Sequence, residues 1–291
     1  VELRDGDPKR WNGKGVDRAV GHIRRTLAPA LLGRPLPPQQ ELDQRLRALD
    51  GTANKSRLGA NALLAVSMAA AQARAATEDR PLFRSLGGPS ARLLPIPMMN
   101  VLNGGAHADN PLDLQEFMIV PHGAPGFSEA LRWGTEVYHA LKRGLKKKGL
   151  STAVGDEGGF APGIRSNEAA LSLLVKAIRD AGYAPGQQVS IALDVAASEL
   201  FRKGRYVFRK SGAPSRTPAG MVALYRRWVA RFPICSIEDG MAENDWEGWK
   251  LLTRAIGKRC WLVGDDLFVT NPERLRRGIR EGSANAILIK L

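Results

Sequence analysis

The stretch ICSIEDG, residues 234–240, reads as a short buried strand that runs straight into two acids and a glycine. Three other stretches repeat the design: VSIALDVAAS at 189–198, WLVGDDLF at 261–268 and NAILIKL at 285–291. Each is an apolar run of strand length with a charged residue at its far end, namely Asp194, Glu238, Asp265 and Lys290. A charge at the exit of a buried strand is costly unless something binds it, and the C-terminal ends of parallel strands are where α/β barrels assemble their sites. Glu238 and Asp265 are 27 residues apart and Asp265 and Lys290 are 25 apart, about one βα unit each. Right-handed crossovers then bring successive charged groups back to one rim.

Working outward, six strands are predicted: 96–102, 115–120, 190–194, 234–238, 261–265 and 286–290. Helices fall between them, marked by Thr217 and Asn271 as N-caps ahead of proline and by Gly282 as a C-cap. Residues 1–90 have a different texture, with three helical patterns (15–33, 39–51 and 59–76) separated by glycine and proline. The boundary is expected in LGGPSARLLP, giving one domain over 1–90 and another over 91–291. The fold class is α/β. No GxGxxG or GxxxxGK[ST] is present, which argues against a Rossmann or P-loop arrangement of the same strands.

The chain has 291 residues, 44% of them hydrophobic, enough for a large core. No apolar run reaches the ~18 residues of a membrane span, and no signal peptide is visible, so a cytoplasmic protein is expected. Cys235 and Cys260 adjoin or lie in apolar runs and are read as small buried side chains. The net charge of +14 suits an acidic partner, and Lys142, Arg143, Lys146, Lys147 and Lys148 crowd one helix end. Leu131, Val137, Tyr138, Leu141 and Leu145 recur there at helical spacing, however, which leaves the lysines on a solvated face and argues against nucleic acid.

Asp194, Glu238 and Asp265 offer three hard oxygen donors from three strand ends, a set that suits Mg²⁺ better than zinc. Their neighbours Asp239 and Asp266 are expected, by strand alternation, to point elsewhere. Lys290 reads either as a countercharge or as a base, since desolvation and a nearby cation lower an ammonium's pKa while the acids raise it. Glu157 sits among Gly155, Gly158 and Gly159, a loop able to bring a carboxyl close to a ligand. His107, Gln115 and Glu116 add polar groups at a strand exit and a strand start.

The strings GANALLAVS (59–67), PIPMMNVLNGGAHADNPLDLQEFMIVP (95–121), TAVGDEGGFAP (152–162), ALDVAASE (192–199), SIEDGMAENDW (236–246), LVGDDLFVTN (262–271) and NAILIK (285–290) resemble the enolases in their bacterial form. The resemblance spans the chain. It implies an enolase-type (βα) barrel that opens with two strands and two helices, preceded by an α+β N-terminal domain. It also implies the reversible, magnesium-dependent dehydration of 2-phosphoglycerate to phosphoenolpyruvate in glycolysis. On that likeness the magnesium ligands fall on Asp194, Glu238 and Asp265, the base on Lys290 and the proton donor on Glu157. Substrate contacts fall on His107, Gln115, Glu116, Glu157, Asp265 and Lys290.

The likeness further implies an opening hairpin with a serine-bearing loop before Val1. After Leu291 it implies two more barrel strands, a His-Arg-Ser phosphate grip and a second lysine. Residues 1–291 are therefore expected to be a fragment, with a partial first domain and a barrel incomplete at its C-terminal end, and weak or inactive alone. The full-length protein is expected to form a homodimer or larger homo-oligomer. The reading from a different class is a non-catalytic basic scaffold that binds RNA or an acidic partner, and a steep fall of affinity with salt would mark it.

Overall fold

The computed structural model describes residues 1–155 and 157–290; Asp156 and Leu291 lie outside the described residues. It divides into two units, Val1–Leu93 and Leu94–Leu291.

In the first unit α1 (Asp17–His22) runs through a π turn (Ile23–Leu27) into α2 (Ala28–Leu31), followed by α3 (Gln39–Asp50), α4 (Ala60–Thr77) and α5 (Leu82–Gly87). The first predicted helix is thus one helix with a π turn in it. Leu27, Leu42, Leu46, Leu58 and Leu63 form the core of the unit. Gly51 ends α3 in the left-handed region, the conformation glycine adopts at lowest cost.

The second unit begins with β1 (Met99–Asn103), β2 (Glu116–Val120), α6 (Phe127–Lys147), α7 (Asn167–Asp180) and β3 (Ser190–Asp194). A short α8 (Ala197–Leu200) and a hairpin of β4 (Phe201–Arg202) and β5 (Arg205–Tyr206) follow. The chain then alternates α9 (Pro218–Arg231), β6 (Ile234–Glu238), α10 (Trp246–Ile256), β7 (Trp261–Gly264), α11 (Pro272–Glu281) and β8 (Ala286–Ile287). The sheet order is β1-β2-β3-β6-β7-β8. β3, β6, β7 and β8 pair in parallel, as expected of strands joined by crossover helices. β2 is antiparallel to both β1 and β3. Because β2 alone runs backwards in this sheet, its first residues share a rim with the last residues of the sheet's other five strands.

β3 is buried along its whole length, which explains why SIALD reads as a continuous apolar run rather than an alternating one. Phe117, Ile119, Ile191, Leu193 and Ile237 meet Val137, Leu141, Leu171, Leu174, Leu224 and Leu252 from the helices in one large core. Met118, Val120 and Ala192, with Cys235, form a small separate cluster.

The strands differ from expectation at their ends. β1 starts at Met99 rather than Ile96, since Pro95 and Pro97 have no N–H to give a ladder, and Ile96 is exposed. β8 pairs over two residues only, although the Leu288 N–H still donates to the Gly264 carbonyl at 3.1 Å. The β4–β5 hairpin went unread: its Lys203-Gly204 turn has φ of +47° and +78°, the two positive values a tight hairpin needs. In α6 the buried face is Ala130, Trp133, Gly134, Val137, Ala140, Leu141 and Leu145, and Leu131 is exposed. The caps at Thr217, Asn271 and Gly282 form as expected, with the two side chains accepting N–H bonds from the first turns of α9 and α11.

Candidate active site at the strand exits

The register places the acids side by side. Glu116 at the start of β2 pairs with Asp194 at the end of β3, and Asp194 pairs with Glu238 at the end of β6. Asp265 follows β7 directly and Lys290 lies three residues beyond β8. Asp194 and Glu238 are buried, and Lys290 is largely exposed.

Asp194 accepts from the Gln115 side-chain amide at 3.0 Å through Oδ2 and from the Ala196 N–H at 3.0 Å through Oδ1. Burial, reinforced by Glu116, pushes its carboxyl up to about 7. Burial and the charges of Asp194, Asp239 and Asp265 push Glu238 up to about 9. Both shifts describe carboxylates with too little positive charge near them. Lys290 Nζ lies 2.6 Å from Asp265 Oδ2, and that bond raises the pKa of the amine.

Two acidic groups share this rim. Asp194, Glu238 and Asp239 have carboxylate oxygens within 4.8 Å of one another, and so do Asp239, Asp265 and Asp266. Asp194 and Glu238 thus stand with Asp239, Asp265 stands with Asp239 and Asp266, and the charge of Asp265 reaches Glu238 directly. The expectation that Asp239 and Asp266 point away does not hold. Asp239 has φ +41°, a left-handed turn that breaks the strand alternation on which the expectation rested and carries its carboxylate to the β7 exit. Every donor in the two groups is a carboxylate oxygen, which fits a hard divalent cation.

His107, Glu116 and Glu157 form a third group within 4.8 Å. His107 Nδ1 is 3.4 Å from Glu116 Oε1. Burial raises the pKa of Glu116, as does the nearby Glu157. The glycine loop reaches this position by lying on β1: the Phe160 N–H donates to the Val101 carbonyl and the Asn103 N–H to the Phe160 carbonyl, each at 2.9 Å. Gly159 allows the approach, since a Cβ there would stand 2.4 Å from Asn103 Oδ1 and 2.9 Å from Leu102 N.

Three groups outside the predicted set shape the site. Asp239 is one. Asp113 is buried and accepts from the Lys210 N–H at 3.0 Å. Lys210 in turn puts Nζ on the Gly105 and Ala108 carbonyls, either side of His107. Neither residue ends a strand, so the pattern that found the acids passed over them. The basic end of α6 lies elsewhere. It borders a groove of about 450 Å³ whose lining includes Arg143, Lys147, Lys148 and Lys176 but no rim residue, and Lys176 is paired with Asp180. Burial pushes the Cys260 thiol up to about 12 and raises Cys235 too, so both are poor nucleophiles.

Parallel strands whose exits carry acids beside an amine make an α/β unit with an acidic rim that could hold a divalent cation. Comparison with known families agrees: residues 91–291 match the C-terminal TIM barrel domain of enolase and residues 1–86 match the enolase N-terminal domain. The chain belongs to the enolase family, and with it to a family of lyases. No helix among the described residues is long and apolar enough to cross a membrane.

Proposed function

We propose that this protein, an enolase of bacterial type, catalyses the reversible dehydration of 2-phosphoglycerate to phosphoenolpyruvate with Mg²⁺. The observation that carries the reading is the convergence of Asp194, Glu238 and the Asp265–Lys290 pair on the rim that also receives Glu116. Asp194, Glu238 and Asp265 would hold Mg²⁺. When bound, the ion would supply positive charge for the extra negative charge that forms on the substrate carboxylate, and would loosen the hold of Asp265 on Lys290.

Lys290, as the free amine, takes the proton from C2. The electron pair left behind forms the C2–C3 double bond as the C3–O bond breaks, and Glu157 gives its proton to the departing hydroxide, which leaves as water. His107 and Glu116, which lie beside Glu157, would contact the substrate together with Gln115, whose side-chain amide also donates to Asp194. The same reading carries a cytoplasmic location and assembly into homodimers or larger homo-oligomers.

The assay compares the chain with its own variant at high protein concentration. Formation of the enol product is followed by ultraviolet absorbance, with and without Mg²⁺. Mg²⁺-dependent turnover that disappears in Lys290→Ala supports the reading. Turnover equal in the two proteins, or none in the unmodified chain, overturns it.

A further inference from the structure

Asp239 ties several parts of the rim together. Its N–H donates to the Val263 carbonyl at 2.9 Å, and its own carbonyl accepts from the Ala197 N–H at 3.0 Å. Its carboxylate accepts the Asp265 N–H through Oδ1 at 3.1 Å and the Asp266 N–H through Oδ2 at 2.8 Å. One residue at the end of β6 is thereby tied to the segment after β3, to β7 and to both residues leaving β7. Asp194, Glu238 and Asp265 stand at those three exits.

The residue type fits this task. φ of +41° is uncommon for a side chain with a Cβ, and aspartate and asparagine tolerate that region best. Two successive N–H groups need two acceptors, which a carboxylate provides. An amide provides one and turns its NH₂ toward the other donor. Glutamate has both oxygens, but an added methylene moves them away from donors that already lie at ordinary hydrogen-bond length. Asp239 is also almost fully buried, so its charge depends on these bonds for compensation.

We propose that Asp239 is a positioning residue: by clamping the Asp265 and Asp266 N–H groups it sets where the Asp265 carboxylate stands relative to Glu238 and Lys290, without itself being the ligand. The inference rests on the divalent-cation reading above for its functional consequence, and on the two hydrogen bonds for its structural one. A clamp and a ligand respond differently to substitution. A ligand is rescued by any nearby carboxylate, whereas a clamp requires the original spacing.

The test uses the whole chain and its Asp239→Asn and Asp239→Glu variants, with three measurements: Mn²⁺ binding by electron paramagnetic resonance, hydrogen exchange of the 265 and 266 amides, and thermal melting. Asn, nearly the same shape, should keep a cooperative melt yet speed exchange of these amides and weaken Mn²⁺ binding, each by about tenfold. Glu should be at least as impaired as Asn despite its charge. Unchanged exchange in Asp239→Asn, or Mn²⁺ affinity restored by Glu and not by Asn, overturns the proposal. Loss of cooperative melting in Asn also overturns it, because the residue would then be holding the fold rather than the site. If the unmodified chain binds no Mn²⁺, the cation reading is what fails, and amide exchange alone decides the clamp.

Discussion

Lys290 Nζ stands 2.6 Å from Asp265 Oδ2, and this pair joins the chain beyond β8 to the exit of β7. The contact raises the pKa of the amine, so on its own it stores the proton rather than seeking one. Removing the lysine should therefore separate chemistry from stability. Lys290→Ala is expected to lower kcat by about 10³-fold, within the range for a lost general base. Its melting should hardly change, since an ion pair with one partner this exposed contributes about 0.5 kcal/mol or less. Lys290→Arg, always protonated, should be no better than Ala. Steady-state rates and thermal melts of the three proteins check this, and a Lys290→Arg variant with near-normal kcat would refute the role of base.

The buried acids should make the cation-free protein less stable as pH rises. Asp194 has moved from an ordinary 3.8 to about 7, and Glu238 from 4.5 to about 9. Raised folded-state values mean that the native chain holds protons the unfolded chain has released, so stability is full below about pH 4 and is lost on the way to about pH 9. At about 1.4 kcal/mol per unit, Asp194 alone accounts for on the order of 4 kcal/mol. Carboxylates shifted the other way, such as Asp50, act below their ordinary value of 3.8 and leave this window untouched. Denaturant titrations in chelator at pH 5, 7 and 9 should show the decline. Saturating Mg²⁺ should flatten it, and Glu238→Gln should both reduce the slope and remove the Mg²⁺ effect. A chelated protein with flat stability from pH 5 to 9 would contradict the argument.

Most of the rim could be read from sequence because a parallel strand with both faces covered leaves a plain signal, an apolar run with a charge at its end. SIALD, ICSIE and WLVG gave that signal, and the register confirms that Asp194 and Glu238 are neighbours. Asp239 could not be read the same way. Alternation assumes extended backbone, and the left-handed turn that redirects this residue leaves no mark in the string SIEDG. Gln115 and Glu116 read from sequence as polar groups at a strand start, and only the antiparallel course of β2 puts that start among the other strands' ends. Lys210 was invisible because its contacts are with backbone carbonyls about a hundred residues away, which no local pattern encodes.

The glycine loop gives a steric prediction. A methyl group at residue 159 would meet Asn103 Oδ1 at 2.4 Å and the backbone of Leu102 and Val101 at 2.9 Å, and backbone cannot swing aside as a side-chain tip can. Gly159→Ala should cost about 1–3 kcal/mol in stability, as overpacking does. It should also displace Glu157 from His107 and Glu116, lowering kcat more than the stability loss explains. Gly163→Ala is the control, because a Cβ there has no atom within 4 Å. Equal behaviour of the two variants in melting and rate would show that the loop tolerates the added volume.

Lys210 should act on the His107 loop and on little else. Its ammonium sits on the Gly105 and Ala108 carbonyls, while its backbone N–H is held separately by Asp113. Lys210→Met removes the charged bonds and keeps the length of the side chain. Charge-assisted hydrogen bonds contribute about 1.5–3 kcal/mol when shielded, so at this exposed site a smaller effect, about tenfold in loop opening, is expected. Hydrogen exchange across residues 104–109 should quicken by that factor while global melting stays within about 0.5 kcal/mol. On the proposed function, KM should rise more than kcat falls, since a loosened His107 loop would weaken substrate binding before it disturbed proton transfer at Lys290. Exchange unchanged in Lys210→Met would mean the loop is held by its own turn, through the His107 N–H to the Gly104 carbonyl at 2.9 Å, and not by the lysine.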